Sequence, residues 1–197
     1  GAAGDLSTRI MVDNPANTQP YWGESGLRRC GQIIAGAVLE VLGRQVEPMA
    51  APTLAFAGDV LDVPIRPWDE GADLSYFQGT AAERFFVQAR DDWPRMMAAD
   101  SPVPVAVNTL RIGDLAICTN PAELFCRFGL AIKAAAPSRV TMISELTDGY
   151  VGYVPTPEAI RHGGYSALSA PHTRLAPDAG WRIVDATTDQ LHRLFSR

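Results

Sequence analysis

Pro104-Val105-Ala106-Val107-Asn108-Thr109-Leu110-Arg111-Ile112 runs into Gly113-Asp114 and out again through Leu115-Ala116-Ile117-Cys118. Two apolar, β-branched runs flanking a two-residue Gly-Asp turn read as a β-hairpin. On the downstream side, Leu124, Phe125, Phe128 and Ile132 recur at helical spacing, which predicts a helix over about Ala122 to Ala136. Val140 to Ser144 then reads as a strand. On the upstream side, Ala82, Phe85, Phe86, Ala89 and Trp93 predict a helix over about Ala81 to Trp93, which Pro94 is expected to end or kink. Short apolar runs around Gly58-Asp59 predict two extended segments between Pro52 and Arg66, where Pro64 and Pro67 exclude helix.

Further helices are expected at the two flanks. Leu27, Cys30, Ile34, Val38 and Val41 mark one from about Ser25 to Gly43, with Ser25 suited to the start and Gly43 to the end. Val184, Leu191, Leu194 and Phe195 mark the inward face of a closing helix from about Asp178 to Phe195. The opening residues, rich in Gly, Asn, Pro and Thr, read as a loop or strand end and a connecting segment. Strands alternating with helices around a hairpin predict an α/β fold, a mixed β-sheet with helices packed on its faces in a layered sandwich. No stretch has the composition of a linker, so residues 1–197 are expected to form one domain.

Composition narrows the function. With 47% hydrophobic and 20% charged residues the chain is not intrinsically disordered, and no repeat is visible. Seventeen Lys and Arg face twenty-two Asp and Glu, a net charge of -5, and no basic run is interleaved with aromatics. Nucleic acid is therefore not an expected partner. No run approaches the ~20 apolar residues of a membrane span. Cys30, Cys118 and Cys126 each lie in apolar surroundings without C-x-x-C spacing and read as buried thiols. The start at Gly1, with neither a methionine nor a signal sequence, is expected to mark a processing site or the interior of a longer protein.

Phosphate-loop, dinucleotide, zinc-protease and nucleophile-elbow motifs are all missing from the sequence. His162, His172 and His192 are too scattered to suggest a metal pair, and His172 and His192 read as ordinary loop and helix residues. Two segments stand out. Gly149-Tyr150-Val151-Gly152-Tyr153-Val154-Pro155-Thr156-Pro157-Glu158-Ala159, followed by Gly163-Gly164-Tyr165, brackets tyrosines with glycines in a loop from about Asp148 to Pro171. The loop has one expected helical turn near Thr156–Arg161. Its phenols either point into a cleft or pack the loop on the core. Asn120-Pro121-Ala122-Glu123 places a carboxylate at an expected helix start, beyond a strand end, where it either serves a site or complements the helix dipole.

In combination these motifs resemble the neutral/alkaline (non-lysosomal) ceramidase family. The pattern G-Y-V-G-Y-V-P-T-x-E-A then G-G-Y, preceded by P-A-E, is similar to that family's. Gly4-Asp5-Leu6-Ser7-Thr8-Arg9 resembles its G-D-V-S-P-N segment, and the order of the three motifs agrees. The resemblance implies the C-terminal portion of a catalytic domain that cleaves the N-acyl amide bond of ceramide or a related N-acyl lipid. It implies zinc held by Glu123 and Tyr153, with two histidines from an N-terminal segment not in this chain. It implies that Tyr165 polarises the amide carbonyl, and that Ser7 is either a nucleophile or a substrate-positioning hydroxyl. The expected partners are thus an N-acyl lipid and that missing segment, covalent or separate. The family's substrate-holding arginine and its immunoglobulin-like domain also lie outside this chain. The resemblance is compatible with a secreted or membrane-associated protein and leaves the compartment open.

The changes Thr8-Arg9, Asp148 and Ser166 relative to the family pattern motivate a second reading, a metal-free ceramidase-like domain that binds a ligand or partner. A serine hydrolase built on Ser7 is disfavoured by the missing nucleophile elbow.

Overall fold

The computed structural model describes residues 1–6, 23–44, 48–72 and 74–196. They fall into two compact units, one made of Gly1–Asp5 with Pro52–Arg197 and the other of Leu6–Ala51. The smaller unit contains helix α1 (Gly23–Leu42), which starts two residues before the expected Ser25. Gly43 closes it, donating its backbone N–H to the Leu39 carbonyl at 2.9 Å. Leu27, Ile34, Val38 and Val41 form the anticipated apolar stripe, and all four are exposed.

The larger unit is built on the hairpin. Strands β1 (Leu54–Val63), β2 (Val103–Ile112), β3 (Leu115–Thr119) and β5 (Val140–Ser144) form a mixed sheet in the order β1-β2-β3-β5. The first two pairings are antiparallel and β3–β5 is parallel. The parallel pair requires a crossover, supplied by helix α3 (Cys126–Ala135). The expected mixed α/β fold is therefore the fold observed. Three boundaries differ from expectation. β1 is one continuous strand, because Gly58 pairs with Asn108 and Asp59 with Val107 without a break.

Helix α2 (Ala81–Asp100) passes through Pro94 and ends only where Ser101 N–H bonds the Met97 carbonyl. A proline removes one helical hydrogen bond. Here the loss is offset because Trp93 is buried, with its indole N–H on the Arg66 carbonyl at 3.0 Å, and Met96 and Met97 pack on the core beyond it. The third difference lies at Ala122: residues Ala122–Leu124 form a short strand, β4, and the helix begins at Cys126. β4 pairs in parallel with β6 (Gly152–Val154).

α3 and α5 (Ala179–Phe195) cover one face of the four-stranded sheet. Val105, Val107, Ala116, Cys118 and Ile143 point into that core beside Phe128, Ile132, Ile183 and Leu191. Val184 and Leu191 are buried as expected, while Leu194 and Phe195 are half-buried. α5 is also fixed by a polar network whose centre is the fully buried Gln190. Its amide oxygen accepts from Thr109 (2.8 Å), and its amide nitrogen donates to Asp59 (2.8 Å) and the Val107 carbonyl (3.0 Å). All the amide's strong capacity near the sheet is thus used, which is what permits its burial. The other face of the sheet carries Leu54, Phe56, Val60, Leu110, Val140 and Met142, all exposed.

Of the three free cysteines, only Cys118 is buried. Cys30, in α1, and Cys126, the first residue of α3, are half-exposed. Among the described residues, no helix is long and apolar enough to cross a membrane.

Candidate active site

The β4–β6 ribbon lies beyond the carboxyl ends of β3 and β5, where open α/β sheets commonly place their functional groups. Backbone bonds stitch it there. Asn120 N–H donates to Ser144 (3.0 Å), Thr147 N–H to Asn120 (3.0 Å) and Val151 N–H to Pro121 (3.0 Å). Asn120, buried, turns the chain by accepting the Ala122 N–H on its side-chain oxygen at 3.1 Å.

In this ribbon Glu123 pairs in register with Tyr153. Glu123 is therefore a strand residue, not the helix-opening carboxylate expected from P-A-E, and its side chain is held by phenols rather than by a helix dipole. The Tyr150 hydroxyl donates to Glu123 Oε1 at 2.9 Å. The Tyr153 phenol interacts with the same carboxylate. Desolvation first, and then the Glu123 carboxylate, push the Tyr150 phenol up to about 12 and that of Tyr153 further still. Both stay protonated donors near neutral pH.

Gly152 is required by the fold: its φ is +84°, and a Cβ there would lie 2.3 Å from the His172 carbonyl oxygen. That carbonyl accepts the Tyr153 N–H at 2.6 Å, fixing the residue from behind. The expected helical turn is α4 (Pro157–His162), capped by Thr156, whose hydroxyl accepts the Ala159 N–H at 3.1 Å. It returns the chain so that the Tyr165 ring meets that of Tyr153 edge-on, with centroids 6.1 Å apart. Tyr150 and Tyr153 thus converge on one carboxylate, with Tyr165 edge-on to Tyr153, while Tyr153 also packs against the core.

The N-terminal motif reaches the same place. Gly4 N–H donates to the Leu124 carbonyl at 2.9 Å, and a Cβ on Gly4 would lie 2.2 Å from the Glu123 carbonyl oxygen. Asp5 accepts the Cys126 N–H at 2.7 Å and so satisfies a free donor at the start of α3. Glu145 ties the N-terminal segment to β4, accepting from the N–H groups of Ala3 (3.2 Å) and Leu124 (3.1 Å). Ser7 lies outside the described residues.

One member of the cluster was not anticipated from the sequence. His172, read there as an ordinary loop residue, lies among Tyr153, Tyr165 and Phe85. Its partners come from three separate segments, so no local pattern marks it. Among the described residues, no three of His, Cys, Asp and Glu converge as a metal-binding group.

Fold and cluster together define a mixed α/β protein with a carboxylate–phenol site at the carboxyl end of its parallel strands. Two solved structures share this fold. One is a ceramidase complexed with C2, with a TM-score of 0.56 and 19% identity, matching 94% of this chain and 36% of that one. The other is the neutral ceramidase from Pseudomonas aeruginosa, with a TM-score of 0.55 and 20% identity over 92% and 33% of the two chains. This chain is similar in fold to both and spans about a third of their length. The likeness agrees with the resemblance carried by the motifs. No family model and no curated protein matches the sequence.

Proposed function

We propose that this chain forms one side of the active site of a zinc-dependent amidohydrolase that cleaves the N-acyl amide bond of ceramide or a related N-acyl lipid. The observation that carries the proposal is the in-register pairing of Glu123 with Tyr153, with Tyr165 edge-on beside them.

A carboxylate and a phenol oxygen side by side suit a small divalent cation, and zinc accepts both alongside imidazole nitrogen. Glu123 and Tyr153 would hold it, and two histidines from outside this chain would complete the set. When bound, zinc supplies Lewis-acid chemistry to the amide. The chain's own residues do the rest. Tyr150 fixes the rotation of the Glu123 carboxylate. Tyr165 donates its phenolic hydrogen to the carbonyl oxygen as charge builds there. Ser7 acts as the attacking or substrate-positioning hydroxyl, on a motif whose Gly4 and Asp5 are anchored beside Glu123.

The missing donors and the cover for the open sheet face both come from the N-terminal segment of the same domain, covalent or separate. Leu54, Phe56, Leu110 and Met142, exposed on one face of the sheet, support this, because a contiguous apolar face is seldom left to water.

Hydrolysis of a short-chain fluorescent N-acylsphingosine by the intact protein tests the reading. Tyr165→Phe is expected to lose about 10²–10³ in kcat, the usual cost of one oxyanion donor. Glu123→Gln and Tyr153→Phe are expected to abolish turnover. Binding without any hydrolysis by the unmodified protein would favour the metal-free binding module instead.

A further inference from the structure

We propose that His172 is a positioning residue that sets the Tyr165 phenol against Tyr153. The proposal rests on the role given to Tyr165 above and adds a residue that this role requires.

His172 holds the third position of a tight turn, Ala170-Pro171-His172-Thr173, closed by the Thr173 N–H on the Ala170 carbonyl at 2.7 Å. Proline at the second position pre-sets such a turn, so the imidazole projects from a stiff base. Its ring stacks on Tyr165 (centroids 4.8 Å, interplanar angle 23°) and on Phe85 (5.6 Å, 19°), and meets Tyr153 edge-on at 5.8 Å. Its own carbonyl accepts the Tyr153 N–H. One residue therefore touches both tyrosines, one through its ring and the other through ring and backbone.

Nε2 of the imidazole is buried without a hydrogen-bond partner among the described residues, and a buried nitrogen left unpaired is costly. What the ring offers its surroundings is therefore its aromatic faces and edge. These contacts have a purpose here. Tyr165 is 55% exposed, follows Gly163-Gly164, and no hydrogen bond fixes its ring from the solvent side among those described. The stack on His172 is what holds its phenol in one place.

Two variants isolate the stack. His172→Phe keeps it and His172→Ala removes it. The first readout needs no substrate: 19F NMR of the intact protein carrying 3-fluorotyrosine, with the Tyr165 signal assigned by Tyr165→Phe. The unmodified protein should show one sharp, ring-current-shifted Tyr165 resonance. That signal should move toward the free fluorotyrosine position in His172→Ala, and remain shifted in His172→Phe. The second readout is turnover of the fluorescent N-acylsphingosine. His172→Ala should lower kcat at least tenfold with KM within about twofold, and with zinc content and melting temperature unchanged in His172→Phe. An unmoved Tyr165 resonance in His172→Ala would overturn the proposal, as would a loss confined to KM or explained by lost zinc. A protein that hydrolyses no N-acyl lipid would refute the amidohydrolase reading alone, since the fluorine signal still reports whether His172 positions Tyr165.

Discussion

Glu123 and Tyr153 are opposite one another in a parallel pair of three-residue strands. Cross-strand partners place their side chains on one face at about 5 Å. The relationship is held from several sides: by Phe125 N–H on the Val154 carbonyl (3.3 Å), by Val151 N–H on Pro121, and by Tyr153 N–H on His172. A functional pair on so short a ribbon is precise only because its neighbours fix the backbone, which is the usual requirement of a preorganised site.

Tyr150 should act through Glu123. Its hydroxyl is the donor that orients the carboxylate, and a hydrogen bond of this kind contributes about 0.5–1.5 kcal/mol. Tyr150→Phe is expected to lower kcat/KM by about three- to tenfold without a change in melting temperature, since the side chain is exposed. Steady-state kinetics and a thermal melt check both parts.

Gly4→Ala should destabilise the protein although the residue is near the chain start. The added methyl would meet the Glu123 carbonyl oxygen at 2.2 Å, a backbone atom that cannot turn aside. Overpacking of this sort costs about 1–3 kcal/mol. Urea denaturation should show the midpoint falling with an unchanged slope, and activity should fall with it because the displaced backbone is that of Glu123.

Asp59 gives a pH dependence remote from the site. Its hydrogen bond from Gln190, and then that from Arg193 (2.7 Å), hold its carboxyl below the ordinary value of 3.8. Between the folded and the ordinary values, the unfolded chain binds more protons than the native one. The stabilisation is therefore complete above about pH 4 and is lost as pH falls through the folded value. Asp59→Asn is expected to flatten this part of the acid limb of a stability–pH curve measured by urea unfolding.

Cys118 should be inert in the native protein. Burial pushes its thiol up to about 11, which leaves roughly a thousandth as thiolate at pH 8, and the thiolate is the reactive form. Iodoacetamide at pH 8 is expected to leave Cys118 unmodified by peptide mass mapping and to label it fully in 6 M guanidinium.

The hairpin and most helices were legible because each is specified locally, by alternation, by 3.6-residue spacing and by a Gly-Asp turn. The misread boundaries are those where distant partners outweigh local preference. Ala122-Glu123-Leu124 favours helix on its own, yet it pairs with Gly152–Val154 far along the chain. Pro94 reads as a stop or a kink, and the helix continues through it because Trp93 is locked into the core on one side and Met97 packs on the other. Within the site, Glu123, Tyr153 and Tyr165 were recognisable as a spaced motif, and the structure brings the three together. His172 was not, because what defines it is a ring stack assembled from separate segments.

Zinc content bears most directly on the central claim that Glu123 and Tyr153 are half of a metal site. The intact protein, freed of loosely bound metal by gel filtration, should carry one zinc per chain by mass spectrometry of the elements. The double variant Glu123→Gln/Tyr153→Phe should carry none while retaining its circular dichroism. One zinc per chain in both proteins, or none in a folded and unmodified one, would contradict the account.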